Sequence, residues 1–199
     1  MSIDFLDAIA NRRSIYSLGK NMDVTPERIQ EIVEHALLHT PTAFNSQSAR
    51  IVLLFGEQHN RLWGLVMETL RKIVPAAAFP QTEQKINSFA EGAGTILFFE
   101  EMDIVTALQE QYALYKDNFP VWSLESNGMI ELVVWTALSQ EGLGASLQHY
   151  NPLIDDEVKS TWGLPASWKF IAQMPFGAKM AEPDAKQFLP AADRYMVFK

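Results

Sequence analysis

The sequence predicts one domain in which a single β-sheet is covered by helices, a fold of the α/β or α+β class. Short apolar runs suited to buried strands alternate with longer segments of helical periodicity, which is the pattern of that class. The 199-residue chain is 48% hydrophobic and 20% charged, so residues 1–199 can form one domain with a substantial core. No repeat or linker divides it.

The first half of the chain predicts helices separated by one strand. A helix begins at Thr25, because a threonine can cap a helix whose first position is held by Pro26. Pro41 disfavours helical backbone at the residue before it and so ends this helix, and Pro75 ends the next one. The elements predicted here are helices over 3–11, 25–39 and 57–74 and a buried strand over 51–55.

The second half contains a long apolar helix that Pro120 opens. Its apolar side chains occupy more than one face, so we expect it at the centre of the fold or at a subunit contact. One hypothesis for the tail, 176–199, is an extended arm that crosses to a partner subunit. The other elements predicted here are a loop or lid over 75–81, helices over 82–90, 103–117, 121–141 and 155–161, and strands over 95–100, 145–149 and 169–174.

Composition argues against several classes of function. The net charge of −8 disfavours a nucleic-acid partner, because such binding relies on basic surface. The chain has no cysteine, which excludes disulfides, cysteine nucleophiles and thiolate metal sites. Without a long apolar run or a secretory signal pattern, we expect no membrane span and a cytoplasmic location. His35 and His39 have ligand spacing, but no glutamate follows His35 as in metalloproteases, so we expect surface histidines and no metal.

The connection over residues 41–50 is unusually polar for a turn. It carries amide and hydroxyl groups at Thr42, Asn45 and Gln47, with Phe44 among them. Such side chains donate and accept hydrogen bonds without charge, which suits the rim of a heterocycle with carbonyl and ring-nitrogen groups. A turn capped by its own side chains is the alternative.

Two adjacent arginines and a serine end the first predicted helix. Arg12, Arg13 and Ser14 offer forked guanidinium donors and a hydroxyl, a set suited to binding a phosphate. The alternative is a solvated helix end, where the arginines interact with the helix dipole. Three basic residues of the tail could complete a phosphate site or be solvated charges: Lys179, Lys186 and Arg194.

Gly142 and Gly144 precede the strand predicted over 145–149. The order helix, glycines, strand differs from the strand, glycine turn, helix order of a dinucleotide fingerprint, so we expect no Rossmann site. The end of this strand can instead present backbone groups with Gln148 or His149 to a flat ring. A helix end that leads into a core strand is the alternative.

Taken together and in this order, these segments resemble the FMN-dependent nitroreductase family, most closely its small branch named for a fungal fatty-acid-repression mutant. The resemblance covers essentially the whole chain. It implies an α+β fold with a central mixed, mainly antiparallel sheet, and a homodimer with two FMN sites at the interface. The segments that carry it are residues 11–16, residues 40–47, residues 142–152, and Lys186 with Pro190.

The resemblance also implies a set of cofactor contacts. Arg12 and Ser14 match positions that hold the FMN phosphate and ribityl chain, and Arg13 matches a position beside the ring. The other positions implied are Thr42, Asn45 and Gln47 in the loop that reaches the flavin from the other subunit, Leu147, Gln148 and His149 against the isoalloxazine, and Lys186 at the phosphate.

Two departures from the family pattern concern the phosphate end of the site. Tyr16, which belongs to the implied cofactor set, stands where a basic residue is common. Residues 186–190 lack the second basic residue of the Lys-x-Arg-x-Pro pattern of larger members, and Lys179 or Arg194 would replace it.

The function implied is that of an NAD(P)H-dependent, FMN-containing oxidoreductase without a catalytic side chain, because the flavin carries the hydride chemistry. NAD(P)H would reduce FMN and leave before a nitroaromatic, quinone or similar flat acceptor binds, which is a ping-pong sequence. One alternative is a flavin-binding regulatory or stress-response protein with little turnover. Another is an interaction protein without a cofactor.

Overall fold

The computed structural model describes residues 4–199 and contains one β-sheet with helices on both faces. Ile3 of the first predicted helix lies outside that range. The helices are α1 (Phe5–Asn11), α2 (Pro26–His39), α3 (Gly56–Ile73), α4 (Phe79–Ala90), α5 (Met102–Gln111), α6 (Phe119–Gln140) and α7 (Asp155–Trp162). The strands are β1 (Leu18–Gly19), β2 (Ala49–Phe55), β3 (Gly94–Glu101), β4 (Leu143–Ala145) and β5 (Trp168–Lys179).

β5 organises the sheet. It pairs with β3 over most of its length, while β1 and β4 pair with its C-terminal end. β2 follows β3 in the order β1-β5-β3-β2. These ladders are antiparallel, and a bridge between Ser14 and Ala145 is parallel. The predicted α+β class with a mixed, mainly antiparallel sheet is therefore confirmed.

β3 is buried on both sides because helices cover both faces of the sheet. Its residues alternate between the faces, as the twofold period of a strand requires. Ile96 and Phe98 pack with α2 and α6, whereas Leu97 and Phe99 pack with α3, α4 and α7. The apolar run in the sequence is thus the shared centre of two separate cores.

α6 packs against the sheet on one side and carries apolar side chains on the other. Ile130, Val134 and Leu138 are buried in the core shared with α2, which confirms the prediction of a central helix. The apolar side chains of the outer side are 41% to 53% exposed and are Val121, Leu124, Met129, Leu132 and Val133. Its contact with a second subunit stays a prediction. Neither α6 nor another helix within residues 4–199 is long and apolar enough to cross a membrane.

Two predicted bounds in the middle of the chain are wrong. The loop predicted over 75–81 is shorter, because the fixed φ of Pro80 suits the first turn of α4. The helix predicted over 103–117 ends at Gln111, because Tyr112 takes a non-helical backbone with φ −123° and ψ 66°.

The strand predicted over 145–149 is also misplaced. The ladder with β5 covers Leu143–Ala145, and beyond it Gln148 forms an isolated bridge with Gln173. The strand predicted over 169–174 is the middle of β5. β1 was not predicted, because a strand of two residues has no periodicity to recognise.

The tail after β5 runs along the surface with little regular structure. Its large apolar side chains are exposed and are Phe188, Leu189, Tyr195, Met196, Val197 and Phe198. This agrees with an extended arm, while its crossing to a partner subunit stays a prediction.

Gly177 provides a test of the packing at the end of β5. An added Cβ would meet the backbone oxygen of Gly19 and lie 2.9 Å from the amide nitrogen of Ala93, and neither backbone atom can swing aside. We expect Gly177→Ala to lower the free energy of unfolding by about 3 kcal/mol, measured by urea denaturation. Gly64→Ala is the control. Nothing lies within 4 Å of its added Cβ on α3, so it should raise stability by about 0.5–1 kcal/mol. Equal stability of the two variants would contradict this packing.

Candidate active site

A cavity of about 530 Å³ lies between the segment that follows α1 and the segment that follows β5. The bridge from Ser14 to Ala145 fixes the first segment beside β4. The tail forms the other wall, because the amide of Met180 donates to the backbone oxygen of Ser17 at 3.0 Å. The residues that line the cavity are 12–17 and 181–186.

Arg12 brings an unpaired cation to this cavity. Its guanidinium lies over the ring of Trp135, with Cζ 4.2 Å from the ring centre. Its Nε and Nη1 are buried and have no hydrogen-bond partner among residues 4–199. Burial, and secondly the charge of Arg13, lower the pKa of Arg12, yet an arginine stays protonated in a protein. A half-buried guanidinium whose Nε and Nη1 have no partner among residues 4–199 has the chemistry of an anion site.

Three other predicted residues line the same cavity. Arg13 Nη2 donates to the backbone oxygen of Asp184 at 2.6 Å, which ties the two walls together. Ser14 is half-buried, and Tyr16 is exposed with its ring 6.4 Å from that of Phe89. The candidate phosphate residues of the N-terminal segment therefore lie in one place.

The three basic residues of the tail have different surroundings. Lys186 lines the cavity, opposite the arginine pair. Lys179 is engaged in an ion pair with Glu182, with Nζ 2.6 Å from Oε2. Arg194 is exposed and does not belong to the lining residues. Of the three, Lys186 is therefore the one that lies with the arginines at the cavity.

The predicted strand-end residues stand apart from the cavity lining. Gln148 is buried, and its amide donates to the backbone oxygen of Gln173 at 2.7 Å. Its side-chain Nε2 donates to the Ser146 hydroxyl at 3.0 Å. Leu147 is half-buried and His149 is exposed. The side chain of Gln148 thus serves the fold, and His149 has the polar side chain that is open to a ligand.

The polar connection before β2 is a strained, side-chain-capped turn. Phe44, Asn45 and Gln47 have φ of 56°, 51° and 49°, a left-handed backbone that costs about 1 kcal/mol for each non-glycine residue. Thr42 Oγ1 accepts from the Gln47 amide at 3.1 Å, and Arg50 Nη1 donates to the Gln47 carbonyl at 3.0 Å. The structure shows the capped turn, and it also leaves the Asn45 and Gln47 side chains exposed, so their contact with a heterocycle stays a prediction. This turn is outside the lining of the 530 Å³ cavity.

Phe44 is the centre of an aromatic cluster that the sequence analysis missed. Its ring centroid is 4.9 Å from that of Tyr112 and 5.2 Å from that of Phe119. The members of this Phe44 cluster are Phe44, Tyr112, Tyr115, Phe119 and Trp122. The cluster anchors the strained turn to the start of α6. The sequence did contain a signal for this cluster: an aromatic residue inside a polar turn, with four more aromatic residues before and within the long helix.

A buried carboxyl group lies beside the end of the same turn. Glu100 in β3 is fully buried, and Asn127 Nδ2 donates to its Oε1 at 2.7 Å. Burial raises the pKa of Glu100, and the nearby Ser48 hydroxyl and the Asn127 amide oppose that rise. Oε2 of Glu100 nevertheless has no hydrogen-bond partner between residues 4 and 199. The backbone oxygen of Ser48 accepts from the Glu101 amide at 2.8 Å, so the end of the turn is held to β3.

Comparison with protein families and characterised sequences gives a consistent result. The model of the Nitroreductase family matches residues 9–178. The chain is 35% identical over 193 residues to nitroreductase FRM2 from Saccharomyces cerevisiae. The aligned region covers 94% of this chain and 93% of that protein.

Solved structures agree with the match to the nitroreductase family. Nitroreductase CinD from Lactococcus lactis, in complex with chloramphenicol, is 45% identical with a TM-score of 0.91, over 98% of this chain and 100% of that chain. The same protein has been solved in complex with 4-nitrophenol. A protein from Exiguobacterium sibiricum in complex with FMN has a TM-score of 0.73 over 100% of this chain and 99% of that chain. At 15% identity that likeness shows the fold alone.

The hydroxyl of Thr42 provides a test of the strained turn. Thr42→Val keeps the side-chain shape but removes the acceptor for the Gln47 amide, so the turn should open more often. One net hydrogen bond of about 1 kcal/mol corresponds to about fivefold faster hydrogen exchange at that amide. Thr42→Ser keeps the hydroxyl and should exchange as the unmodified chain does. Unchanged exchange in Thr42→Val would mean that other contacts hold the turn.

Proposed function

The chain belongs to the nitroreductase family of oxidoreductases, and we propose that it is an FMN-dependent member that uses NAD(P)H to reduce nitroaromatics, quinones or similar flat acceptors. The reaction proposed is ping-pong, with the nicotinamide leaving before the acceptor binds.

The unpaired guanidinium of Arg12 carries this proposal. Two of its nitrogen atoms are buried without a partner in the described part of the chain, and such unpaired donors of a charged group are costly unless a ligand completes them. Arg13, Ser14 and Lys186 line the same cavity. Together they offer charged donors for a phosphate and a hydroxyl for a ribityl chain, so the residues present fit FMN. A protein of the same fold from Exiguobacterium sibiricum has been solved with FMN.

We propose a homodimer because the two parts of the predicted flavin site lie apart in one chain. Asn45 and Gln47 do not line the cavity that contains Arg12, so they would contact the flavin held by a partner subunit. The exposed apolar side of α6 and the apolar tail supply surface that such a contact would bury.

FMN, when bound, would supply the redox chemistry by accepting a hydride from NAD(P)H and passing it to the acceptor. The residues of this chain would bind and orient the cofactor. Arg12, Arg13 and Lys186 would hold the phosphate. Backbone groups at Leu147 and the side chain of His149 would face the ring, where donors stabilise negative charge. No side chain is assigned a nucleophilic or proton-transfer role.

The proposed acceptor is a flat electrophile such as a nitroaromatic. CinD, which is 45% identical to this chain, has been solved with 4-nitrophenol. Phe44 is 50% exposed within the turn that would reach the partner's flavin. Its ring would offer a stacking surface to a flat acceptor.

Binding of FMN is the first test of the proposed function. We expect the purified chain to quench the fluorescence of added FMN and Arg12→Ala to weaken the affinity by about 10–150-fold. A hydrogen bond to a charged group contributes about 1.5–3 kcal/mol, which corresponds to that range. Arg61→Ala, exposed on α3 and outside the cavity, is the control and should bind FMN normally. Unchanged affinity in Arg12→Ala would place the phosphate elsewhere.

Steady-state kinetics test the reaction itself. Rates of NADPH oxidation at several fixed menadione concentrations should give parallel double-reciprocal lines, because the nicotinamide leaves before the acceptor binds. Intersecting lines would count against a shared site. A chain that binds FMN but turns over neither menadione nor 4-nitrophenol, with NADH or NADPH, would favour the flavin-binding regulatory alternative. A chain that takes up no FMN would favour the interaction protein.

A further inference from the structure

We propose that Trp135 positions the guanidinium of Arg12 for a phosphate and thereby makes the site select FMN over a flavin without a phosphate. This inference rests on the proposed FMN site and adds a positioning residue to it.

Trp135 contacts both the arginine and the backbone that builds the cavity. Arg12 Cζ lies 4.2 Å from its ring centre, within the range of a cation–π contact. Trp135 Nε1 donates to the backbone oxygen of Ala145 at 3.2 Å. The same oxygen accepts from the amide of Ile15 at 2.9 Å. One indole is therefore fixed to the chain segment from which Arg12 extends.

An aromatic partner holds Arg12 without occupying its hydrogen-bond donors. A carboxylate in this position would neutralise the charge and take up the guanidinium N–H groups that a phosphate needs. The face of an indole attracts the cation through its quadrupole and constrains the plane of the guanidinium. Arg12 then keeps Nε and Nη1 without a partner from the residues that the structure describes.

An acidic residue of α6, Glu131, does not pair with Arg12 in place of Trp135. Glu131 precedes Trp135 by one turn of α6 and is buried, but Arg12 forms no ion pair with it within residues 4–199. Burial raises the pKa of Glu131 to about 7, and no neighbouring cation opposes that rise. The indole is thus the partner that orients Arg12.

The test compares two flavins that differ in the phosphate. The full chain and its variants are titrated with FMN and with riboflavin, and the thermal unfolding of each variant is recorded. Trp135→Leu removes the ring and should weaken FMN binding by about 3–30-fold, the range of a cation–π contact, while riboflavin affinity changes less than about twofold. Trp135→Phe keeps an aromatic face and should retain more of the FMN affinity.

A double-mutant cycle separates positioning from general support of the fold. In an Arg12→Ala background, Trp135→Leu should cause no further loss of FMN affinity, because both changes remove the same phosphate contact. Additive losses would overturn the inference. An equal loss of FMN and riboflavin affinity in Trp135→Leu would also overturn it, since the ring would then support the whole site.

A shape-preserving change covers the case in which Trp135→Leu does not fold. Fluorinated tryptophans placed at position 135 by nonsense suppression keep the shape and the indole N–H but weaken the quadrupole. FMN affinity should fall with each added fluorine while riboflavin affinity stays constant, and an FMN affinity independent of fluorination would overturn the inference. If the unmodified chain binds neither flavin, the proposed function itself fails. Normal FMN binding that is insensitive to position 135 defeats this inference alone.

Discussion

The close packing at the C-terminal end of β5 is the constraint on which the rest of the structure depends. At Gly177 the backbone of β5 approaches Gly19 and Ala93 too closely for a side chain. At Gly144 an added Cβ would lie 2.8 Å from the Ile15 side chain. Because these glycines leave no side chain between the strands, β1, β4 and the segment after α1 all converge on one end of β5. The tail leaves β5 at that point and forms one wall of the cavity, so the strand that organises the sheet also places that wall.

α6 connects the two parts of the proposed site. Trp122 near its start belongs to the Phe44 cluster, which anchors the strained turn, and Trp135 near its end lies under Arg12. An α-helix rises about 1.5 Å per residue, so these two indoles are about 20 Å apart along the helix. The strained turn and Arg12 therefore lie near opposite ends of α6. The exposed apolar side of the same helix supplies a surface through which two copies could bring them together.

The cavity brings three basic residues, Arg12, Arg13 and Lys186, together in an acidic protein. The chain carries a net charge of −8, and Glu182 and Asp184 also belong to the cavity wall. Asp184 contributes its backbone oxygen to Arg13, and the carboxylate of Glu182 pairs with Lys179. Within residues 4–199, Arg12 therefore lines the cavity without a carboxylate partner and is held by an indole. The proposed site would attract a phosphate through local charge, whereas the field of the whole chain would repel an anion.

The sequence alone determined the fold class, most of the elements and the identity of the candidate residues. The hydrophobic period and the positions of proline and glycine reveal the local preference for helix, strand or turn. Arg12, Arg13 and Ser14 are neighbours in sequence, so they must also lie together in space. It misplaced the strand near Gly142 because a bridge such as Gln148 to Gln173 depends on a distant segment. The tertiary structure decided that Lys186, and neither Lys179 nor Arg194, lines the cavity with the arginines. It alone decided that Gln148 turns inward and that Trp135 lies under Arg12. These contacts join residues far apart in the chain, and their geometry follows from the packing of β5 and α6, which has no local signature in the sequence.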